Sequence, residues 1–537
     1  MEPTRAVHPS SVSVAPGAVD SHSRAMKMDR FSSSLLLLLL AAVPAAACGD
    51  DDDSHDDDGD GTNQPDASVP DGGGTPDAAT PDGGPLPDAT PGDDAAPDFD
   101  AAPEVDAAPP GPGLVWVHGD MITNNRNQLA AVSIGAPLPA VPTVVLPASD
   151  TGTLATFQSF NSGAYDISSN GQRVTMPADI DVPDQFDLYA ASVDGTNLIR
   201  VFAASGLADV GKARFSPDGT RIAFTADLET DGVFGAYVVP SNAPDATPLL
   251  VSPAGANDDV DDLVWSADSS FIMVTGDFTE AGFFELLITD VTQTNPTPVT
   301  LVSRAEILST VAPAGVIQPI QGRGGSVLFK GRIAADDAIR LHRVATTGGS
   351  PVSVLPQSEI PRTDGTTIAT IGSVGLSPDG NQIAFGADET LNVYDLWAMP
   401  VSGGEPPTRL TTGLVPPGGE NRINPDFGQP LKWRPDGLEI AFLANYGTLS
   451  KNEPFVAPLD GSGQRKLATI GPADPNADAE AVGWSPDGTQ LYLVADHATP
   501  NQIELFLLDP ALADQEPTPV LAATSGGDLR GDITVSQ

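Results

Sequence analysis

The side chains best able to do chemistry in this chain are its carboxylates. One set is periodic. Asp120, Asp179, Asp227, Asp277, Asp388, Asn445 and Asp496 close seven similar β-type runs, and Arg332 takes the place in an eighth. A second set is clustered, as Asp258, Asp259, Asp261 and Asp262 and as Asp474, Asp478 and Glu480. Gathered on one face, these acids would form a rim that attracts a basic protein, a cationic ligand or a divalent cation. Taken singly, the run-ending acids would cap the adjoining loops by accepting backbone N–H bonds. Histidine is scarce: beyond Cys48 there are only His55, His118, His342 and His497. No two of these have metal-ligand spacing on one element. There is no Gly-x-Ser-x-Gly elbow and no phosphate-binding glycine loop opening a helix. The sequence therefore predicts no catalytic set, no metal site and no cofactor, with calcium the one ion left open. Asp56, Asp58, Asp60 and Gly61 begin like a calcium loop, but Ala67 stands where a bidentate acid belongs.

The charge balance narrows the partners. Lys and Arg total 25 and Asp and Glu total 72, a net charge of −47. Such a chain repels phosphate backbones, which excludes nucleic acid and favours an envelope protein or cationic ligand. The single cysteine, Cys48, rules out an intrachain disulfide framework and a Cys-rich zinc site. It follows a short basic start, Met26 to Arg30, a six-leucine run at Leu35 to Leu40, and Ala45-Ala46-Ala47. This is the plan of a secretory signal over 1–47, with the functional start at Met26 or Met28. Small residues running into a lone Cys resemble the lipobox of bacterial lipoproteins, although Ala45 replaces that family's usual Leu. The resemblance implies diacylation of Cys48 and membrane attachment through the acyl chains. Gly49 after the Cys implies the outer membrane of a Gram-negative envelope, on its periplasmic or surface side. Residues 49–113 carry 19 acids and no Lys or Arg. A stretch so charged and so poor in apolar side chains is expected to be a disordered spacer, which makes 48–113 the lipidated Cys and its linker.

From Leu114 the composition turns to alternating apolar runs punctuated by Gly, Pro and Asp. One pattern recurs as Phe215-Ser-Pro-Asp218-Gly219, Leu376-Ser-Pro-Asp-Gly380, Trp433-Arg-Pro-Asp-Gly437 and Trp484-Ser-Pro-Asp-Gly488. Weaker copies are Ile167-Ser-Ser-Asn-Gly171, Trp265-Ser-Ala-Asp-Ser269 and Gly322-Arg-Gly-Gly325. A period of about 50 residues marks a propeller or a solenoid. Each copy is a hairpin turn between two strands, A and B, followed by runs that read as strands C and D. Repeated four-stranded antiparallel sheets are the propeller arrangement. Seven A–B turns face eight C–D hairpins. Leu114-Val-Trp-Val117 reads as a B strand without its A strand, and Gly531-Asp-Ile-Thr-Val535 reads as an A strand at the far end. Pairing the two would complete an eighth blade and remove two open edges. The sequence thus predicts an all-β, eight-bladed propeller over 114–537, closed by its C-terminal strand, with seven blades as the alternative. Phe215, Trp265, Trp433 and Trp484 are expected to fill the spaces between blades.

These repeats are similar to those of TolB-type, WD-repeat-like propellers of Gram-negative periplasms, over essentially all of 114–537. The resemblance implies the propeller fold and a docking role. The α/β domain that precedes the propeller in TolB is absent, so the rest of that protein's role is not implied. The functional expectation is a monomeric, non-enzymatic protein-interaction or ligand-binding module on a lipid anchor. Two alternatives stand beside it: a propeller-fold polysaccharide lyase or glycosidase using carboxylates or His342, and a calcium-stabilised surface protein. A pocket holding a perturbed histidine or acid beside Lys or Arg would favour the enzyme.

Overall fold

A computed structural model describes residues 114–535, except 120–127, 134–139, 141–142, 146–164, 183–184, 207, 254, 256–258, 311, 324, 356–359, 361–369, 391–392, 412–430, 447–450, 473, 475–476, 499–501 and 522–528. Cys48, the signal and the linker lie outside these residues.

The Ser-Pro-Asp-Gly turn is a small hydrogen-bonded device. In Phe215–Arg221 the Ser216 N–H donates to the Arg221 carbonyl (2.9 Å), and the Gly219 N–H donates to the Ser216 carbonyl (2.8 Å). The Ser216 hydroxyl bonds Asp218 and also accepts the Arg221 N–H (3.0 Å). Asp218 Oδ1 in turn accepts the Thr220 N–H (3.0 Å). Pro sets one dihedral, and Gly219 takes φ +69°, which a side chain resists. The same bonds recur around Ser377–Gln382 and Ser485–Gln490. In the copy ending Ser269, that serine takes φ +61° in the glycine's place.

The turns fold the described residues into an all-β, propeller-like succession of antiparallel four-strand units. Six sheets have four strands each, and one of eight strands is two such units joined. In chain order the B strands of the units are Leu114–Gly119, Arg173–Ala178, Arg221–Thr230, Phe271–Gly276, Ser326–Arg332, Gln382–Thr390, Glu439–Ala444 and Leu491–Ala495. The joined pair is the fourth and fifth units, where Phe283 and Phe284 run parallel to Ala314 and Gly315. Gly315 is required there, because a Cβ on it would meet the Phe284 carbonyl oxygen at 2.1 Å. The C-terminal strand Leu529–Val535 pairs antiparallel with Leu114–Gly119, with Val115 opposite Val535. The expected pairing of chain end with chain beginning is therefore present.

Strand alternation gives each unit two apolar faces, and eight clusters bury them. Each cluster draws on two successive units. Val174 and Met176 join Trp116 and Leu129, Phe385 joins Leu341, and Trp484 joins Leu443 and Leu467. The eighth unit shares a cluster with the first, through Ala481, Tyr492 and Leu505 against Val115, Ala130 and Val132. The aromatics before the turns belong to these seams. Trp265, Trp433 and Trp484 each donate Nε1–H to a carbonyl of the preceding unit, at Arg214, Gly375 and Lys432.

Candidate functional site

The run-ending acids are built into the scaffold. Asp227 accepts the N–H groups of Asp209 (2.6 Å) and Gly232 (2.8 Å). Asp277 accepts that of Gly282 (3.0 Å), Asp388 that of Thr370, and Asp496 that of Asp478. Each carboxylate ties the end of its B strand to the start of its A strand or to its own B–C loop, as a cap does. Asp179 is buried beyond Ala178, Asn445 follows Ala444 in the seventh unit, and Asp120 lies outside the described residues.

The clustered acids fall into two units, at the start of the A strands of the fourth and eighth. Asp259 accepts the Phe234 N–H (2.9 Å). Lys212 Nζ bonds the Asp261 carbonyl (2.6 Å) and Asp262 Oδ1 (3.4 Å). The Asp474 carbonyl accepts Lys451 Nζ (3.1 Å), and Asp478 holds the backbone and side-chain amides of Asn452. Burial pushes the Asp478 carboxyl up to about 6, against the lowering pull of those bonds. Glu480 is half-buried on the strand Ala479–Trp484, and Asp258 lies outside the described residues. Among the described residues no group of three or more His, Cys, Asp or Glu is placed to hold a metal. The Asp56–Ala67 stretch lies outside them.

A different constellation gathers between the fourth and fifth units. A cleft of about 650 Å³ is lined by Glu306 and Leu308 on one side and by Asp336, Arg340, His342 and Ser353 on the other. That volume is in the range of small-molecule sites. The strand Arg340–Ala345 positions the chemistry by alternation. Val344 faces the fourth unit's core beside Phe283 and Val302, while Leu341 faces the sixth unit's beside Ile383. Arg340 and His342, in step with Val344, therefore turn toward the fourth unit.

His342 is 4% exposed, and its ring stacks on Phe329 with centroids 5.2 Å apart. Its Nε2 has no hydrogen-bond partner. Burial, and then the positive charge of Arg340, hold its pKa down to about 4, partly opposed by a hydrogen bond to the Gly331 backbone. The imidazole is thus neutral at ordinary pH, with a free nitrogen, which is the state of a base. The buried Arg340 guanidinium grips both oxygens of Asp336, at 2.7 Å for one of them. Arg340 holds that carboxyl below the usual range. Across the cleft, Glu306 Oε2 accepts the Ser303 N–H (2.8 Å) and hydroxyl (3.0 Å).

Motif spacing singled out His342 only as an alternative and missed Arg340 and Asp336. The available signals were Arg332, where the repeat otherwise ends in Asp or Asn, and the degenerate turn Gly322-Arg-Gly-Gly325 in the same unit.

No family model and no curated protein matches the chain. Among solved structures, a prolyl endopeptidase is 12% identical at a TM-score of 0.45, over 70% of this chain and 52% of that one. The chain therefore spans about half the length of that enzyme. The oligogalacturonate lyase of Vibrio parahaemolyticus is 11% identical at 0.44, over 74% of this chain and 98% of that one. A structure described as TolB from Agrobacterium tumefaciens is 15% identical at 0.29, over 52% and 91%. At such identities the likeness speaks to a propeller-like fold alone. The expectation of a non-enzymatic module is nevertheless corrected, on the chain's own geometry. The physical reason is the cleft: strand alternation sets a buried, neutral histidine beside a guanidinium, from residues that no linear motif connects.

Proposed function

We propose that this protein is a propeller-fold enzyme that cleaves a polysaccharide by proton transfer at His342, a lyase or glycosidase held at the cell envelope. The observation that carries the reading is the unpartnered Nε2 of a buried, neutral histidine in a cleft of ligand size, beside the Arg340–Asp336 pair. Glycan cleavage of either kind needs a group that takes or gives a proton at the scissile linkage. Rigid sheets on both sides of the cleft suit that task, since a base must be held to within a fraction of an ångström.

The scaffold of the proposal is a closed propeller of eight blades. Its support is the cyclic order of the eight apolar clusters and the pairing of Leu529–Val535 with Leu114–Gly119. The tether is a signal over 1–47 and an acylated Cys48, with the acidic stretch to residue 113 as spacer. A long charged spacer would let an anchored enzyme reach polymers away from the membrane surface.

The test is turnover of a panel of neutral and acidic polysaccharides by the chain from Cys48 onward, with products followed by mass spectrometry. Wild-type protein should shorten at least one polymer, and His342→Asn should slow that cleavage by about a hundredfold or more. Turnover unchanged in the His342→Asn protein would remove the histidine from the mechanism. Absence of cleavage across the panel would overturn the enzymatic reading.

A further inference from the structure

The cleft between the fourth and fifth units contains a polar atom that the protein itself leaves unmet. Among the described residues, buried side-chain atoms without hydrogen-bond partners occur in several units, as at Trp116 Nε1, Ser270 Oγ and Trp397 Nε1. Of the residues that carry such atoms, only His342 lines this cleft. The partner it needs follows from the ring's other nitrogen. The hydrogen bond to the Gly331 backbone raises the histidine's pKa, so in that bond the ring is the donor. With Nε2 unpartnered, the donor is Nδ1. A neutral ring has one N–H, here given to Gly331, so Nε2 carries the lone pair and can only accept. Nε2 stands at the tip of a side chain that strand alternation turns toward the fourth unit, and the stack on Phe329 fixes the plane of the ring.

Charged ligands of either sign are turned away from this atom. A carboxylate or phosphate oxygen has no hydrogen to give Nε2, so the bond stays unmade. Its natural partner, Arg340, is already engaged by both oxygens of Asp336. Glu306, held by Ser303 at the cleft's edge, repels an anion further. An ammonium is refused for the two reasons that keep a proton off the ring, burial first and then the Arg340 charge. A cation drawn toward Glu306 therefore still finds no place at Nε2. What fits is an uncharged donor. The Arg340–Asp336 pair points the same way, because its charges cancel while its guanidinium donates and its carboxylate accepts. Much of the remaining wall is apolar: Leu308, 61% exposed, with Ile333, Pro351 and Leu355. The Leu308 N–H donates to the Ile333 carbonyl (2.7 Å), which fastens the two walls together. A sugar ring meets both surfaces at once, with hydroxyls at its edge and C–H groups on its faces.

We infer that this cleft takes an uncharged, hydroxyl-rich saccharide, with one ligand hydroxyl donating to His342 Nε2 and a sugar face lying against Leu308. The inference rests on the glycan reading above and names its substrate class, neutral sugars in place of uronates or amino sugars. A peptide amide is also an uncharged donor, which makes a peptide the rival occupant. The saccharide is favoured because the Arg340–Asp336 pair suits groups that donate and accept at a single atom, as a hydroxyl does and an amide N–H does not.

The experiment is calorimetry on the purified protein. Cellotriose, maltotriose, xylotriose and tri-N-acetylchitotriose are the neutral probes, the galacturonate and glucosamine trimers are the charged ones, and an end-blocked alanine tripeptide represents the rival. At least one neutral trimer should bind, with both charged trimers at least about tenfold weaker. The neutral affinity should hold between about 50 mM and about 500 mM salt. His342→Phe keeps an aromatic ring against Phe329 but removes the acceptor, and it should weaken binding about tenfold or more. Leu308→Ser alters a side chain already in solvent, so the fold is not at stake, and it should weaken binding about threefold or more. Circular dichroism and melting verify that each variant is folded. A charged trimer binding as tightly as the best neutral one, the tripeptide binding in place of the saccharides, no neutral trimer binding, or an unchanged affinity in a folded variant would each overturn the inference. Turnover is read separately. Salt-insensitive binding of a neutral trimer without cleavage of any polymer upholds the ligand class and rejects the enzyme. Cleavage of acidic polymers alone upholds the enzyme and overturns the inference.

Discussion

Replacing His342 with leucine should change how stability depends on pH, and the size of the change follows from the ring's surroundings. In the folded chain burial and the Arg340 charge hold the imidazole near 4, against an ordinary value of 6.5. The unfolded chain therefore binds a proton that the native state refuses between these values. Stability contributed by the neutral ring is complete above 6.5 and is lost as the pH falls toward 4. The loss amounts to about 2 kcal/mol near pH 5 and about 3 kcal/mol once the pH is below the folded value. Leucine carries no such linkage and leaves no unpaired nitrogen, so it should match or exceed the wild type at low pH. Buried carboxylates such as Asp478 and Asp166 titrate with the opposite sign, but both proteins share them, and the difference between the two curves isolates the histidine. The assay is equilibrium urea unfolding of both proteins, followed by tryptophan fluorescence, from about pH 8 down to about pH 4.5. Parallel stability curves would refute the assignment of a buried, neutral imidazole, and with it the source of the base.

Three further outcomes follow from the scaffold. Deleting Leu529–Gln537 removes the strand beside Leu114–Gly119 and uncovers part of the cluster around Val115, so the chain should lose its cooperative melt and aggregate in light scattering. Trp484→Phe keeps the seam apolar but removes the bond from Nε1 to the Lys432 carbonyl, which should cost about 1–2 kcal/mol in urea unfolding. Asp478→Asn removes a carboxyl whose folded value, about 6, lies above its ordinary one. The native state loses stability as that group ionises with rising pH, so the variant should gain on the wild type between about pH 4 and pH 6. The gain should be about 1–2 kcal/mol, because solvent screens the half-buried group.

The fold was legible because its local signals repeat. Pro-Asp-Gly and the serine before it specify the same turn wherever they occur, and the apolar alternation on either side specifies two buried faces. The pairing of the chain's last strand with its first was legible by subtraction, since Leu114–Val117 lacked an A strand and Gly531–Val535 lacked a B strand. The cleft was not legible in this way. Arg340 and Glu306 lie 34 residues apart in different units, and what brings them together is the packing of one sheet against the next. The run-ending acids follow the repeat for a related reason. Asp227, Asp277, Asp388 and Asp496 recur because every unit needs its backbone amides met, so the most regular carboxylates are those already engaged by the scaffold.

The fifth unit departs from that pattern, with Arg332 in the place of Asp or Asn. At Asp227, Asp277, Asp388 and Asp496 the acid at the end of the B strand accepts an amide of the adjoining loop or A-strand start. In the fifth unit Arg332 Nη1 donates to the Pro313 carbonyl (2.9 Å), so the strand end is tied to the start of its A strand by a guanidinium and a carbonyl in place of a carboxylate and an amide.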